Sequence, residues 1–295
     1  MEKQTGGKAF YRKKTVTQDD PDRCPYKMLY HYTSLEQLAL ILKNRAIRLS
    51  PLDAMDDLQE KKTADIPNLG KFIFISAWTS EKKESIPMWK MYSNTKAGVR
   101  VGLPVNPFSR NKITAEDIAK AGFQRNPEDG KMEDIECFLN PVEMLSEGYL
   151  TRQAFADSIL VQVQYTDDID LLEPKTETLL EGMEIGNFSP LGRCKNKYWA
   201  FQKEWRYLLE FVPMKLDSPD IMQMEYRSTM ERMLLGIEKP PFPFYTLPID
   251  PEAFSKMEIV MSPHLTEGNQ VLLETLVQQY NPEAKVKKSE LLDLI

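Results

Sequence analysis

The segment 198–211 constrains the fold most strongly, because its character changes abruptly within a few residues. A polar, helix-compatible run ends near Gln202, and the apolar-rich stretch 205–211 has the composition of a β-strand. Glu204 lies at the junction, where a carboxylate at the edge of a strand can point into a cleft. We therefore expect a sheet that receives this strand, with Glu204 at its start.

Other stretches share this strand character, since they are rich in β-branched and aromatic residues. They are 28–32, 46–49, 71–79, 98–103, 158–165 and 257–261. Between them the apolar spacing and polar composition predict helices after Ser34, after Ser85, and over 114–121, 173–182, 190–202 and 266–279. Strands of uneven spacing separated by helices predict an α+β fold with a mixed, mostly antiparallel sheet and flanking helices.

Three of the predicted helices carry recognisable N-terminal signals. Ser34 is followed three residues later by Gln37, and Thr114 is followed by Asp117, which are capping-box pairs. Pro87 fits the first turn of the helix that Ser85 caps.

The composition limits the classes of protein to consider. The chain has 295 residues, of which 42% are hydrophobic and 28% charged, as in soluble globular proteins. Its net charge of -6 argues against a broad nucleic-acid surface. We find no signal peptide and no apolar run of the ~20 residues that cross a bilayer, so we expect a cytoplasmic protein without a membrane partner.

The organisation along the chain is that of one domain with two less regular parts. Residues 1–26 read as a flexible arm, and 27–295 as a single α+β domain with a variable insertion at about 104–140. The Met-rich stretch 221–234 is either an interface or ordinary core. Three well-separated cysteines and two histidines predict no metal site.

Familiar catalytic signatures for nucleotide binding or hydrolysis are absent from the sequence, so candidate residues come from smaller patterns. His31 lies in a short strand between two tyrosines, Tyr92 ends a short helix, and Glu204 precedes Arg206 on one strand face. Each also has an ordinary structural interpretation: a core histidine, a packed tyrosine and a simple ion pair. The acidic loop 53–57 either binds a cation or forms a solvated turn.

Taken together, these patterns resemble a widespread prokaryotic family of uncharacterised function. The shared motifs lie at 29–34, at the acidic turn 55–60, at 74–79, at the Met-Trp-x-x-Tyr of 88–92 and at the Glu-Trp-Arg of 204–206. The resemblance covers roughly residues 27–279 and leaves the insertion unaligned. This chain departs from the family pattern in the acidic turn and before Glu204.

A more distant resemblance links the order of His31, Tyr92 and Glu204 to the His-Tyr-Glu arrangement of ADP-ribosyltransferases. That resemblance implies the split sheet core of that fold, with NAD as the substrate and no metal. It implies that His31, with Thr33, binds a ribose of NAD and that Tyr92 stacks on nicotinamide. Glu204 would bind the 2′-hydroxyl of the nicotinamide ribose.

Physical chemistry makes such a reaction reasonable at these residues. Cleaving the nicotinamide glycosidic bond develops positive charge on the ribose, which a fixed carboxylate stabilises. Arg206 either binds the pyrophosphate or holds Glu204 ionised. The acceptor of the ADP-ribose, a macromolecule, a small molecule or water, is left open, as is a role in a toxin or in phage defence.

Two hypotheses therefore stand side by side. The first is an ADP-ribosyltransferase-like enzyme or NAD glycohydrolase, and the second is a non-catalytic sensor that binds a nucleotide or a protein. Clustering of His31, Tyr92 and Glu204 in one cleft favours the enzyme. Dispersal of the three, or a Glu204 locked in a buried ion pair, favours the sensor.

Overall fold

The structure is a computed structural model that describes residues 23–120, 134–180, 183–186, 188–214, 228–233, 235–292 and 294. Most of the expected N-terminal arm, the middle of the 104–140 insertion and most of the Met-rich stretch 221–234 lie outside these residues. No described helix is both long and apolar enough to cross a membrane.

The strands and helices alternate irregularly along the chain. The strands are β1 (Met28–Ser34), β2 (Ala46–Pro51), β3 (Ile73–Thr79), β4 (Gly98–Pro104), β5 (Asn111–Ile113), β6 (Ile135–Cys137), β7 (Tyr149–Leu150), β8 (Leu160–Gln162), β9 (Gln164–Thr166), β10 (Glu177–Leu180), β11 (Met183–Gly186), β12 (Cys194–Asn196), β13 (Glu204–Glu210), β14 (Val212–Pro213), β15 (Tyr245–Pro248), β16 (Glu258–Met261) and β17 (Lys285–Lys287). The α-helices are α1 (Leu35–Asn44), α2 (Ile86–Tyr92), α3 (Ala115–Lys120), α4 (Pro141–Glu147), α5 (Ile169–Leu172), α6 (228–233), α7 (Pro251–Ser255) and α8 (Glu267–Tyr280).

One large sheet organises these elements, and its strand order is β15-β2-β3-β1-β4-β16-β17, with β13 pairing with both β3 and β8. All of these pairings are antiparallel except β16 with β17. The α+β class with a mostly antiparallel mixed sheet, predicted from the sequence, is therefore confirmed.

The sheet opens between β1 and β3. These two strands are in register at Tyr30 and Thr79, whereas β1 pairs with β4, and β3 with β13, over seven residues each. The side chain of His31 lies across this opening, with Nδ1 2.8 Å from the carbonyl oxygen of Ala77 on β3. The divergence of these two paired ladders leaves room for a cleft that is lined in part by β1 and β3.

β3 and β13 are buried on both faces. Burial on both faces explains why β3 is apolar nearly throughout, whereas β13 carries charged residues among its apolar ones. Along β13, Trp205 and Tyr207 face the larger hydrophobic cluster, whereas Leu208 faces a second one. Because side chains alternate along a strand, Glu204 and Arg206 share the face of Leu208. Their predicted position on one strand face is thus confirmed.

The N-terminal signals predicted for three of the helices are confirmed. Ser34 accepts a hydrogen bond from the backbone N–H of Gln37, and Ser85 accepts one from that of Met88, with Pro87 in the first turn. Thr114 and Asp117 form their reciprocal pair before α3. Short polar side chains that satisfy the free N–H groups of a first turn are local signals, so the sequence reveals them.

Two predicted helices are wrong. Residues 177–180 form strand β10, which pairs with β11, instead of the helix expected over 173–182. The helix expected over 190–202 is replaced by strand β12 and the 3₁₀ helix Lys197–Gln202. β12 pairs in parallel with β9, about thirty residues earlier in the chain, and such a non-local pairing leaves no periodic signal in the sequence.

Candidate functional site

A cleft lies at the opening of the sheet and encloses about 90 Å³. Its walls come from β1, β3, β13, α2, the loop after β2 and the segment 195–202. The lining residues are Tyr30, His31, Tyr32, Met55, Asp56, Glu60, Ala77, Trp78, Thr79, Met88, Tyr92, Lys195, Gln202, Glu204 and Arg206. This volume is well below the ~300–1,000 Å³ of sites for drug-sized ligands, so the cleft has room for only one small chemical group.

The three residues that the sequence singled out meet in this cleft. His31, Tyr92 and Glu204 come from β1, α2 and β13, and all three line it. Arg206 lines it too. Thr33 is buried on β1 but does not line the cleft, so the structure gives no support to its expected part in binding the cofactor.

Glu204 is held by two cations. Its Oε1 accepts a hydrogen bond from Nε of Arg206 at 2.6 Å, and its Oε2 accepts one from Nζ of Lys195 at 3.0 Å. Burial alone would raise the pKa of Glu204, but the charges of Arg206 and Lys195, and the hydrogen bonds they donate, hold its pKa below the usual value. Glu204 is therefore ionised at neutral pH although only 4% of its surface is exposed.

Glu60 closes the arrangement into a ring of four alternating charges. Its Oε1 lies 3.0 Å from Nζ of Lys195, and its Oε2 lies 2.5 Å from Nη1 of Arg206. These contacts have the distances of ion pairs but not the alignment of hydrogen bonds. We refer to Glu60, Lys195, Glu204 and Arg206 as the charge ring. Each of its side chains is at most 8% exposed, and its formal charges cancel.

Two further contacts fix the cations of the charge ring. Nη1 of Arg206 also donates to the carbonyl oxygen of Gly192 at 2.9 Å. Nζ of Lys195 donates to Oε1 of Gln202 at 2.9 Å and lies 4.9 Å from the centre of the Trp199 ring. Because Lys195 and Arg206 each contact two carboxylates and a neutral oxygen, the ring is rigidly connected to its surroundings.

Gln202 links the charge ring to Tyr92. Its Nε2 donates a hydrogen bond to the hydroxyl of Tyr92, while its Oε1 accepts from Lys195. Burial, followed by the nearby carboxylates Asp56, Glu204 and Glu60, raises the pKa of Tyr92, so the phenol is neutral. A chain of contacts therefore runs from Tyr92 through Gln202 and Lys195 to Glu204.

The turn before β13 places Glu204 at the cleft. The 3₁₀ helix Lys197–Gln202 ends at Lys203, whose backbone adopts the left-handed conformation with φ of 45°. Non-glycine residues adopt this conformation at a cost of roughly 1–2 kcal/mol. The turn directs the chain from the 3₁₀ helix into the strand, and it explains the abrupt change of character in the sequence at this point.

His31 is neutral, with a definite tautomer. Burial lowers its pKa, an effect that its hydrogen bond to Ala77 only partly offsets. Because the carbonyl oxygen of Ala77 can only accept, Nδ1 carries the proton and Nε2 has a free lone pair. A neutral imidazole in this state can accept a hydrogen bond from a hydroxyl group of a ligand.

The sequence missed Glu60, Lys195, Gln202 and Asp56 as individual members of the site. Glu60 and Asp56 lie in the acidic turn that belongs to the first resemblance, which was the available signal. No signal in the sequence pointed to Lys195, because the strand that carries it was predicted as a helix. Among the described residues, no group of three or more His, Cys, Asp or Glu side chains is arranged to hold a metal ion.

Comparisons with protein-family models, with curated proteins and with solved structures gave no match for this chain.

Proposed function

We propose that the cleft binds the nicotinamide riboside end of NAD and that the protein cleaves the nicotinamide glycosidic bond, passing ADP-ribose to an acceptor or to water. The observation that carries the proposal is the convergence of His31, Tyr92 and Glu204 in one cleft. They come from three elements separated by long stretches of chain, and their order was the basis of the resemblance to ADP-ribosyltransferases. The opening of the sheet between β1 and β3 agrees with the split sheet of that fold.

In the proposed reaction the C1′–N bond breaks and its electron pair leaves with the ring, which becomes neutral nicotinamide. The acceptor then forms a bond to C1′ and loses a proton to solvent. Positive charge grows on the ribose in between, and Glu204 is ionised and fixed in advance, so it stabilises that charge without reorganising. A carboxylate has about four acceptor directions, and Arg206 and Lys195 use two, which leaves capacity for a ribose hydroxyl.

Tyr92 and His31 have supporting parts in this proposal. The half-buried ring of Tyr92 offers a stacking face for nicotinamide, and Gln202 fixes its hydroxyl. Nε2 of His31 accepts a hydrogen bond from a ribose hydroxyl. Since the cleft encloses only about 90 Å³, the remainder of the dinucleotide extends outside it.

A second candidate function follows from the charge ring itself. Glu204 is locked between two buried cations, which is the arrangement that favours a non-catalytic module that senses a nucleotide or a protein. In that case the charge ring is structural, and the cleft binds its ligand without changing it. The feature that favours the enzyme, the shared cleft, and the feature that favours the sensor, the buried ion pair of Glu204, are thus present together. A measurement of NAD turnover distinguishes the two functions.

The experiment compares nicotinamide release from NAD by the wild type, Glu204→Gln and Glu60→Gln, with candidate acceptors present and absent. The two variants form a matched pair, because each removes one negative charge from the same ring, but only one removes the proposed catalytic carboxylate. Loss of release in Glu204→Gln by a hundredfold or more, with a smaller loss in Glu60→Gln, supports the enzyme. Tyr92→Ala, which leaves the charge ring intact, is expected to raise KM more than it lowers kcat.

Two results would overturn the proposal. One is no nicotinamide release by the folded wild-type protein with any acceptor. The other is equal release by the wild type and by folded Glu204→Gln. If NAD is bound but not cleaved, as detected by a raised melting temperature, the sensor is the better description.

A further inference from the structure

The charges of the side chains that line the cleft do not sum to zero. The charge ring contributes two carboxylates and two cations, which sum to zero, and Asp56 adds a third carboxylate. Among the described residues, no cation forms an ion pair with Asp56. Because His31 is neutral, three carboxylates and two cations leave the cleft with a net charge of -1.

The excess negative charge lies beside an aromatic ring. Asp56, Glu60 and Glu204 line the cleft together with Tyr92. Burial, and then the charges of these three carboxylates, raises the pKa of Tyr92. The guanidinium of Arg100 lies over Tyr30 at 4.6 Å and 5.8 Å from the centre of Tyr32, so these two rings already contact a cation. The described residues supply no such contact to Tyr92. Trp78, which also lines the cleft, is only 2% exposed and lies 5.3 Å from the ring of His31. The half-buried ring of Tyr92 is therefore the more accessible aromatic face for a ligand.

We propose that the cleft selects a planar organic cation over a neutral group of the same shape, and that Asp56 is the residue that sets this preference. An aromatic face attracts a cation through its quadrupole, and a nearby carboxylate adds to that attraction. Only the identity of the cation, the pyridinium ring of oxidised nicotinamide, rests on the proposed function. The preference for positive charge follows from the cleft alone.

This preference has a consequence for turnover. When the glycosidic bond breaks, the ring takes the bonding electron pair and becomes neutral, so the attraction that bound it disappears. The positive charge moves to the ribose, which lies toward Glu204 in the proposed complex. The cleft therefore binds the substrate ring more tightly than the product ring, and nicotinamide leaves readily.

The test uses two probes of nearly equal shape, cationic 1-methylnicotinamide and neutral nicotinamide, titrated against the full-length protein by calorimetry or NMR. Ionic strength is held near 0.15 M, because Asp56 is exposed and its charge is screened. We expect the cation to bind on the order of tenfold more tightly, the scale of a partly desolvated contact between a cation and an aromatic ring. In Asp56→Asn the ratio of the two affinities should fall by about threefold or more.

Asp53→Asn is the control, because Asp53 is an exposed carboxylate on the same loop that does not line the cleft. It should leave the ratio unchanged. Equal affinities in the wild type, no saturable binding of the cation at 10 mM, or a ratio unchanged in Asp56→Asn would each overturn the inference. Neither probe contains a ribose, so neither can be cleaved, and the result is independent of the turnover experiment.

Discussion

Nε of Arg206 lies 2.6 Å from Oε1 of Glu204, and the two residues are two positions apart on the same face of β13. The strand alone accounts for their spacing, whereas the burial of the pair depends on other parts of the chain. Glu60 and Lys195 surround it from a loop and from a second strand, and together the four form a ring with no net charge. The site is therefore both an electrostatic scaffold and the proposed centre of chemistry.

Removing one charge from the charge ring should lower the free energy of unfolding substantially. Glu60→Gln leaves an uncompensated positive charge among buried groups, so we expect a loss of about 3–5 kcal/mol in the free energy of unfolding, measured with denaturant. Lys256→Gln breaks the exposed pair with Glu252 and should cost less than about 1 kcal/mol. A loss for Glu60→Gln no larger than that of the control would contradict the conclusion that Glu60 compensates a buried positive charge.

The double variant Glu60→Gln/Lys195→Met tests whether the ring acts as a unit. Removing one charge of each sign restores neutrality, so the double variant should be less destabilised than the sum of its two single variants by about 1 kcal/mol or more. Strict additivity of the two unfolding free energies would show that Glu60 and Lys195 act independently. Urea denaturation of the four proteins of the cycle supplies the measurement.

Glu84 is expected to hold helix α2 against the segment 289–290. Its Oε2 accepts hydrogen bonds from Nε1 of Trp89 at 2.8 Å and from Ser289 at 2.5 Å, and its Oε1 accepts one from the backbone N–H of Glu290 at 2.7 Å. Since α2 carries Tyr92, Glu84→Gln should speed amide hydrogen exchange over residues 86–92 by about tenfold, while β3 is unaffected.

Glu81→Gln is the matched control for Glu84→Gln, because Glu81 lies in the same loop and pairs with Lys203 at the surface. It should leave exchange in α2 unchanged. If both variants, or neither, accelerate exchange in α2, the helix is held by its apolar packing rather than by Glu84.

His31 should make stability depend on pH in a specific window. Burial lowers its pKa in the folded protein below the 6.5 of the unfolded chain, so the unfolded chain binds the proton more readily. The contribution of neutral His31 to the free energy of unfolding is thus complete above about pH 7.5, and it decreases as pH falls through 6.5. The lowered pKa of Glu204 acts in the same direction only near and below 4.5.

His31→Asn removes the titration and can retain a hydrogen bond to Ala77. Between pH 7.5 and pH 5.5 the wild type should therefore lose more unfolding free energy than this variant. The groups facing His31 in the cleft, among them Asp56, Glu60 and Glu204, are common to both proteins and cancel in the comparison. His264→Asn, at an exposed position, should behave as the wild type. Parallel pH profiles for the wild type and His31→Asn would refute this prediction.

Features encoded by neighbouring residues were predictable. The N-terminal caps at Ser34 and Ser85 depend on side chains that bond within one turn. The strands β3 and β13 are predictable from their aromatic and aliphatic residues. The helix expected over 190–202 failed because pairing with β9 decides the structure of β12. Composition cannot report that pairing, since its partner lies about thirty residues away.

By itself the sequence determined the class of fold, the strand that begins at Glu204, and the three residues His31, Tyr92 and Glu204 as a set worth testing. Local propensity and alternation along a strand are enough for the fold class and the strand, because they act between near neighbours. The set of three came from the resemblance to ADP-ribosyltransferases. Only the tertiary structure decided that the three share a cleft, that Lys195 and Glu60 enclose Glu204, and that Asp56 leaves the cleft negative. Charges buried together interact through space at a few ångströms, and the distances that govern them exist only once the sheet has closed around them.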